Sequence, residues 1–398
     1  MSKKKKKLKR KIKKLLFFLI ITTISILTIY LNQKNILKPN SNQPIIKKPI
    51  KKEKWPKNYK LSFLATGDGL IHNLLYEYAK EPNGTLNFNK YLTEVKDIVS
   101  SKDIAYYNQE TVFGGKELGY SFYPCFNTPT EFGDAMLDIG FNTVSLASNH
   151  SMDRGEKAIL NSIKYWKSKN NILYNGMAES PEDRNNFQIM EKNNIKYGMI
   201  AYTYGTNGIP VPKNKPYLVN IYNDEQAKKD IEYLRDKVDV LMVAMHWGIE
   251  YQQYPTEEQK RQAKYLADLG VDIIIGNHSH SIQPVTWIDD TLVIYSMGNF
   301  ISNQIELLNS IGYKGIIGDF VMADINKTIN KDQTSEINID NVKVELLYNY
   351  RNKPERMYKV IPFSKINEKY LPNYKTIYED YKKVIQKYDS NIYVIPAA

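Results

Sequence analysis

The histidines are the residues of this chain that carry most information about chemistry. The 398-residue sequence contains five, and each lies in a short motif that follows a predicted β-strand. Carboxylates and an asparagine accompany them, and these side chains together with imidazole are common metal ligands. The five are His72 in GDGLIH, His150 in SNHSMD, His246 in HWGIEY, and His278 and His280 in GNHSH. Because ligands of α/β proteins bind beyond the carboxyl ends of the strands, the pattern predicts a metal site there.

Three further side chains complete this set. Asp68 ends the first predicted strand, Glu110 follows the second, and Asn149 directly precedes His150. Taken singly, each has an ordinary explanation as a helix cap, a solvated acid or a core polar residue. Taken together, they form a mixed nitrogen and oxygen ligand set that zinc, manganese and iron all accept, so the metal stays open. His150 would face substrate as a proton donor, and Asp153 is expected to cap the helix that follows.

Alternating strands and helices must position these residues. Apolar runs of strand length alternate with amphipathic segments of three-and-four spacing from residue 61 to about 300, which predicts an α/β fold with one large domain over 61–350. Later strands are expected at Ile316–Ile325 and Ile337–Tyr348, and a helix at Tyr374–Tyr388 within a C-terminal extension, 351–398. The predicted helices before it are Asn89–Ser101, Thr130–Ile139, Arg154–Lys169, Asp224–Lys237 and Thr256–Leu269.

The positive charge of the chain is concentrated near its N-terminus. The formal net charge is +12, but residues 1–14 carry ten Lys or Arg and no acid, and residues 32–60 add nine Lys and one Glu. The remaining residues, 61–398, have 36 basic and 42 acidic side chains. A nucleic-acid-binding domain normally carries its basic surface on the folded part, so we predict no nucleic-acid partner.

An apolar segment over 15–31 follows the basic tail. Its 17 residues would reach about 25 Å as a helix, enough to span a bilayer with little tilt. The positive-inside rule puts residues 1–14 in the cytoplasm and the folded domain outside the cell, as a single-pass membrane protein. A cleavable signal peptide is the alternative, although no small-residue cleavage site follows Leu31. Residues 32–60 are expected to form an extended linker.

Cys125 is the only cysteine of the chain. The sequence therefore excludes an intramolecular disulfide and a thiolate metal cluster. An exported chain without disulfides suits a bacterial surface.

Six motifs in order resemble the bacterial capsule-synthesis CapA family of poly-γ-glutamate synthesis accessory proteins, which is related to calcineurin-like metallophosphoesterases. The resemblance covers about Leu61 to Asn303, in the motifs GDGLIH, NQET, SNHSMDRG, HWGIEY, GNHSH and YSMGNF. It implies a metallophosphoesterase-like four-layer α/β/β/α sandwich outside the cell. The partners it implies are an anionic polymer and the subunits that synthesise and export this polymer.

The resemblance also implies roles for individual residues. Asp68 resembles the first metal-ligand aspartate, Glu110 stands where phosphoesterases have a bridging aspartate, and His150 resembles the catalytic histidine. The other implied metal ligands are Asn149, His246, His278 and His280. His72 departs from the usual Asp-x-His opening, because it lies four residues after Asp68, and it is predicted as a metal ligand from its place in the same loop. Glu250, Ser296 and Asn299 belong to the CapA-like pattern and are expected in the substrate pocket.

Three functions remain open from the sequence. The first is a metal-dependent hydrolase of phosphoesterase type that acts in capsule or poly-γ-glutamate-type polymer synthesis. The second is a non-catalytic structural partner of the polymer synthase and export complex, because a related fold does not determine the reaction. The third is metal-dependent cleavage of amide bonds in the polymer.

Overall fold

The structure is a computed structural model that describes residues 20, 22–34, 54–313 and 315–398. It divides into two compact units, Met1–Lys54 and Trp55–Ala398. In the first unit, residues 20 and 22–34 are helical, whereas the rest of the predicted membrane segment and most of the predicted linker lie outside the described residues. Across the described part of the chain, no helix combines the length and the apolar character needed to cross a membrane.

The larger unit alternates strands and helices, as the sequence predicts. Its strands are β1 (Lys57–Gly69), β2 (Ile104–Gln109), β3 (Thr143–Ser145), β4 (Leu173–Asn175), β5 (Ile189–Lys192), β6 (Ile195–Thr203), β7 (Val240–His246), β8 (Ile273–Asn277), β9 (Val285–Ile288), β10 (Thr291–Ile294), β11 (Asn299–Ile301), β12 (Ile317–Ile329), β13 (Ser335–Asn352), β14 (Met357–Pro362) and β15 (Tyr393–Val394). Its α-helices are α1 (Asn73–Ala79), α2 (Lys96–Ser100), α3 (Thr130–Asp138), α4 (Gly155–Lys167), α5 (Pro181–Arg184), α6 (Asp224–Arg235), α7 (Glu257–Asp268), α8 (Ile305–Ser310) and α9 (Tyr374–Ile385).

The strands form two mixed sheets. The nine-stranded sheet has the order β14-β13-β12-β1-β2-β3-β4, with β11 paired to β1 and β15 to β13. The six-stranded sheet has the order β5-β6-β7-β8-β10-β9. Strands β1 to β4 are parallel to one another, and so are β6, β7, β8 and β10. Parallel strands direct their carboxyl ends to one edge of the sheet, so the loops that carry the histidines gather at that edge.

Three apolar clusters arrange these elements in layers. One cluster joins the inner faces of the two sheets, for example Ala65 and Tyr106 with Ala201 and Met242, and also contains residues of α9. A second packs α1, α3 and α4 on the outer face of the larger sheet, and a third packs α6 and α7 on the outer face of the smaller one. The predicted α/β class is therefore confirmed, and the layers follow the order helix, sheet, sheet, helix.

Helix α7 begins where the sequence places it. Thr256 is its N-cap, and its hydroxyl accepts from the backbone N–H of Gln259 at 3.2 Å while Gln259 Oε1 accepts from the Thr256 N–H at 3.0 Å. This reciprocal capping box satisfies two backbone donors that the first turn of a helix cannot pair internally.

The prediction of one continuous helix over Asn89–Ser101 is wrong. A 3-10 turn, Asn89–Tyr91, precedes the short helix α2, and between them Val95 N–H donates to the Leu92 carbonyl at 3.2 Å. Tyr91, Leu92 and Val95 are all buried, and their spacing is also that of one face of a regular helix, so the apolar pattern alone does not reveal the break.

Asp319 on β12 is a buried acid without compensation. Its side chain is fully buried, and neither carboxylate oxygen has a hydrogen-bond partner among the described residues. Burial raises the pKa of Asp319 well above its ordinary value. The folded protein therefore keeps a proton that the unfolded chain releases above about pH 4. The buried Asp319 therefore lowers the free energy of unfolding as the pH rises from the ordinary carboxyl pKa toward the pKa of the folded protein.

Asp319→Asn should therefore stabilise the protein at neutral pH. Asparagine is neutral at every pH, so we expect a rise in Tm of roughly 2–4 °C at pH 7 and a smaller difference near pH 4. Thermal unfolding of both proteins across this range measures the effect. Asp324→Asn on the same strand is the control, because Asp324 pairs with Lys60 at 2.8 Å and gains nothing from neutralisation. A D319N variant no more stable than the parent at pH 7 would contradict the assignment.

Candidate metal centre

The carboxyl ends of the parallel strands bring the predicted ligands together. Asp68 lies at the end of β1, and Glu110 follows β2 directly. In the smaller sheet, His246 ends β7, and the loop after β8 carries His278 and His280. All five side chains are buried. The site therefore lies where the two sheets meet, with ligands from both.

Two groups of ligand atoms share one carboxylate. Glu110, His246 and His278 offer atoms that all lie within 4.8 Å of one another, and so do Asp68, Glu110 and His280. Glu110 belongs to both groups. A carboxylate that serves two adjacent ligand groups is the arrangement that a two-ion centre needs.

Asn108 orients members of both groups, although the sequence analysis did not assign it to the site. Its Nδ2 donates to Asp68 Oδ1 at 2.8 Å and lies 3.2 Å from His246 Nδ1. The other oxygen of Asp68 accepts from the His278 backbone N–H at 3.2 Å and lies 3.3 Å from His280 Nδ1. The only sequence signal for Asn108 was its position two residues before Glu110, at the end of the same strand.

Glu110 places an uncompensated carboxylate in the interior. Neither of its oxygens has a hydrogen-bond partner among the described residues. Glu110 Oε1 lies 3.7 Å from His280 Nε2 and 3.9 Å from His246 Nε2. Burial, and then the charge of Asp68, raises the pKa of Glu110 well above its usual range. A bound cation would stabilise a buried acid of this kind, because an isolated charge in the interior is strongly disfavoured.

The imidazoles complete a donor set that fits a divalent metal. Burial and the neighbouring His278 hold the pKa of His246 well below its ordinary value, and burial with His280 lowers the pKa of His278 to about 3. Both rings are therefore neutral, the form that binds metal. Burial opposes protonation of His280 as well, but Glu110 and Asp68 raise its pKa to about 9.

Asn149 and His150 follow β3 and occupy different places in the site. Asn149 Oδ1 lies 2.9 Å from His246 Nε2, which puts its carbonyl at the edge of the ligand groups. His150 Nδ1 lies 2.7 Å from Asp153 Oδ2, and the same oxygen accepts from the Phe126 N–H at 2.7 Å. The expectation that Asp153 caps α4 is wrong. The N-cap of α4 is Arg154, whose side chain does not cap the helix, and the Asp153 carboxylate is engaged by His150 instead.

The structure does not bring His72 into either ligand group. Its Nδ1 accepts from the Asn303 N–H at 3.2 Å, and its ring contacts Phe126 edge-on at 5.4 Å. Burial lowers the pKa of His72 to about 4. The ring lines the pocket that opens beside the ligands.

The three residues expected in the substrate pocket have different positions. Glu250 lines the pocket and is exposed. Ser296 and Asn299 are fully buried and do not line it. Asn299 pairs with Asp68 across β11 and β1, and its Nδ2 donates to Gln304 Oε1 at 2.9 Å. The structure therefore places Asn299 behind the first ligand, where it supports the backbone of Asp68.

Close backbone packing holds Asp68 at this edge. A Cβ atom on Gly67 would lie 1.9 Å from the Gly298 carbonyl oxygen, and one on Gly318 would lie 2.2 Å from the Asn299 oxygen. Gly298 itself has a φ of +64°, in the region that favours glycine. The glycines let β1, β11 and β12 approach one another, and the Asp68 N–H donates to Gly298 O at 3.0 Å.

Comparison with known proteins shows the family of this chain. The model of the bacterial capsule synthesis protein PGA_cap family matches residues 62–304, which is more than half of the sequence. The chain therefore belongs to this family, as the motifs predict.

Two curated relatives and two solved structures illustrate the similarity. The capsule biosynthesis protein CapA of Bacillus anthracis is 30% identical over 43% of this chain and 42% of that protein. The PGA biosynthesis protein CapA of Bacillus subtilis (strain 168) is 25% identical over 44% of this chain and 47% of that protein. Each of these two matches therefore spans less than half of the relative. A Staphylococcus aureus putative 5'-nucleotidase, in complex with alpha-ketoglutarate, has a TM-score of 0.45 at 13% identity over 72% of this chain and 54% of that one. The purple acid phosphatase PPD1 of yellow lupin has a TM-score of 0.34 at 10% identity, over 71% of this chain and 54% of that one. Neither TM-score is high enough to support a conclusion about this chain.

Glu110→Gln should remove metal-dependent stabilisation. The amide keeps the shape of the side chain but loses the charge that both ligand groups share. Saturating Mn²⁺ should raise the Tm of the parent by roughly 5–10 °C and that of E110Q by less than about 2 °C. Thermal unfolding with chelator and with Mn²⁺ measures both shifts. Glu225→Gln, at an exposed ion pair with Lys229, is the control and should respond like the parent. Equal shifts in E110Q and the parent would exclude Glu110 as a ligand.

Gly67→Ala should disturb the site without changing a ligand. The added methyl group would force β1 away from Gly298, so we expect a loss of roughly 2–3 kcal/mol in unfolding free energy and a weaker response to Mn²⁺. Gly205→Ala is the matched control, since its Cβ would meet no heavy atom within 4 Å. Denaturant unfolding of the two variants tests the packing, and a G67A protein as stable as G205A would contradict it.

Proposed function

We propose that this protein is a divalent-metal-dependent hydrolase of phosphoesterase type that acts in the synthesis or export of a capsule or poly-γ-glutamate-type anionic polymer. The observation that carries the hydrolase is Glu110, which is buried, has no hydrogen-bond partner among the described residues, and is shared by two ligand groups. Support for the polymer comes from the family match and from the names of the two Bacillus relatives.

The residues that would hold the metal are those of the two groups. One ion would be held by Glu110, His246 and His278, with Asn149 beside them, and the other by Asp68, Glu110 and His280. Bound Mn, Zn or Fe would supply an activated water and positive charge opposite a phosphoryl group. Asn108 would keep Asp68 and His246 in place through its contacts with both.

His150 is the residue proposed to move a proton. Asp153 fixes one ring nitrogen at 2.7 Å, and the edge of the Phe126 ring, with a centroid distance of 4.8 Å, fixes the ring plane. His150 lines the pocket, so its remaining nitrogen, Nε2, is the one that can donate a proton to the oxygen of a leaving group. Asp153 would act as a positioning residue, because a carboxylate at Nδ1 selects the tautomer and stabilises the imidazolium.

The proposed location is the outer face of the cell membrane. Support comes from the sequence, in which ten basic residues precede the apolar segment 15–31. A retained helix would hold the domain where a polymer leaves the cell. Proteolysis of intact cells tests this orientation: the folded unit should be cleaved from outside only if it is extracellular.

Elemental analysis of the purified full chain tests the hydrolase. We expect about one or two equivalents of metal and turnover of a generic phosphomonoester or phosphodiester, both lost in Asp68→Ala and His246→Ala. Metal binding without turnover, together with co-purification of the polymer synthase subunits, would instead support the non-catalytic partner. A folded parent that binds no metal would overturn the metal site.

His150→Ala should separate catalysis from metal binding. We expect kcat to fall about 10²–10⁴-fold with the metal content unchanged, since the proton donor is lost and the ligand groups remain. Asp153→Asn should lower kcat about tenfold or more without loss of metal. Asp138→Asn, at the exposed C-terminal end of α3, is the control. Parallel loss of metal in H150A would show that His150 is a ligand and not the proton donor.

A further inference from the structure

The charge pattern of the pocket beside the ligand groups is unusual for a protein proposed to act in the synthesis of an anionic polymer. Its volume is about 720 Å³, and His72, His150 and His280 lie at its inner end. Among the described residues that line it there is no Lys or Arg, whereas three acids line it, Asp153, Glu250 and Glu306.

The three acids differ in how their charges are compensated. Asp153 is held by His150, and Glu306 pairs with Arg351 at 2.7 Å and with Lys353 at 3.1 Å. Glu250 is exposed and forms no ion pair within the part of the chain that the structure describes. An anionic chain that followed the pocket outward would therefore meet Glu250 without a basic residue of the lining to offset it.

Aromatic side chains continue outward from the proposed proton donor. The Phe126 ring contacts His150 at a centroid distance of 4.8 Å, and Tyr123 contacts Phe126 at 6.5 Å. Tyr123 is 76% exposed at the rim, and across the pocket Tyr251 lies 5.8 Å from His280. A group that receives a proton from His150 would thus lie beside the exposed ring of Tyr123, which contacts the fully buried Phe126.

The rim adds further apolar surface. Leu307 of α8 lines the pocket with 45% of its surface exposed. Exposed apolar side chains around a concave site mark a surface that a ligand covers. Aromatic rings at such a site stack on flat apolar faces.

We propose that the substrate is a phosphate ester whose leaving group is uncharged and presents an apolar or aromatic face, and that a polyanionic chain does not bind in this pocket. This inference rests on the proposed function. The phosphoryl group lies at the ligand groups, and the ester oxygen faces His150. The leaving group lies beside Tyr123 and the side chain of Glu250, and the charge of Glu250 disfavours a negative charge there.

A matched pair of esters tests the substrate class with the full-length metal-loaded protein. The phosphate esters of 4-hydroxybenzamide and 4-hydroxybenzoate share the reacting group and differ in one negative charge on the leaving group. We expect kcat/KM to favour the carboxamide about tenfold or more. Glu250→Gln should reduce this preference several-fold, whereas Glu225→Gln, far out on an exposed helix, should not. Equal kcat/KM for the two esters would overturn the proposal.

Cys125 gives a readout that does not require turnover. It is the only cysteine of the chain, is exposed, and lines the pocket. A bound ligand should slow its alkylation by N-ethylmaleimide, measured by mass spectrometry. We expect protection by 4-carbamoylbenzylphosphonate, and little by 4-carboxybenzylphosphonate or poly-γ-glutamate.

The two readouts distinguish failure of this inference from failure of the proposed function. Protection by the carbamoyl phosphonate without hydrolysis of either ester would refute the hydrolase and leave the ligand class standing. Protection by poly-γ-glutamate, or by neither phosphonate in the metal-loaded protein, would overturn the ligand class.

Discussion

The carboxylate of Glu110 is the constraint on which this structure depends. Folding takes it out of water, and the described residues give it no hydrogen-bond donor in return. Asp68 adds a second acid close enough to raise the pKa of Glu110 further. Such a pair costs stability unless a cation compensates it. The neutral imidazoles of His246 and His278 are arranged around the acids as ligands would be, so the features of the site that destabilise the fold are the ones that suit a metal.

The backbone makes this arrangement possible. Ligands come from both sheets, so the strand ends must meet at one edge and approach closely. Within the larger sheet, Gly67, Gly298 and Gly318 permit the close approach of β1, β11 and β12, since a side chain on any of them would meet a carbonyl oxygen at less than 3 Å. Elsewhere the core is ordinary: three apolar clusters between the layers hold the sheets and helices together. Polar chemistry is therefore confined to the edge where the strands end.

The same edge shapes the pocket. His150 is turned toward it by Asp153, and the aromatic rings of Phe126 and Tyr123 extend from His150 to the surface. The lining is apolar and acidic, whereas the polymers associated with the family are anionic. A role in polymer synthesis is compatible with this lining if the pocket acts on a smaller ester and not on the finished chain.

Particular elements show how far the sequence predicts this protein. The capping box of α7 and the buried strands around it were predictable because their signals are local. The break in Asn89–Ser101 was not, because Tyr91, Leu92 and Val95 have the spacing of a helical face whether or not the helix is continuous. Asp153 was interpreted as a cap because it directly precedes the predicted helix. Its partners are instead His150, three residues earlier, and the Phe126 N–H, a contact that only the tertiary structure creates.

The sequence by itself determined the α/β class, the family and the set of side chains at the strand ends, since residue type, spacing and motif order are properties of the chain. Only the tertiary structure decided which of them meet. It made Glu110 common to two ligand groups, put Asn108 between Asp68 and His246, left His72 in the pocket wall, and placed Asn299 behind the backbone of Asp68. These contacts join residues that are 40 to more than 200 positions apart. They depend on how the two sheets pack, and no local pattern in the sequence encodes that packing.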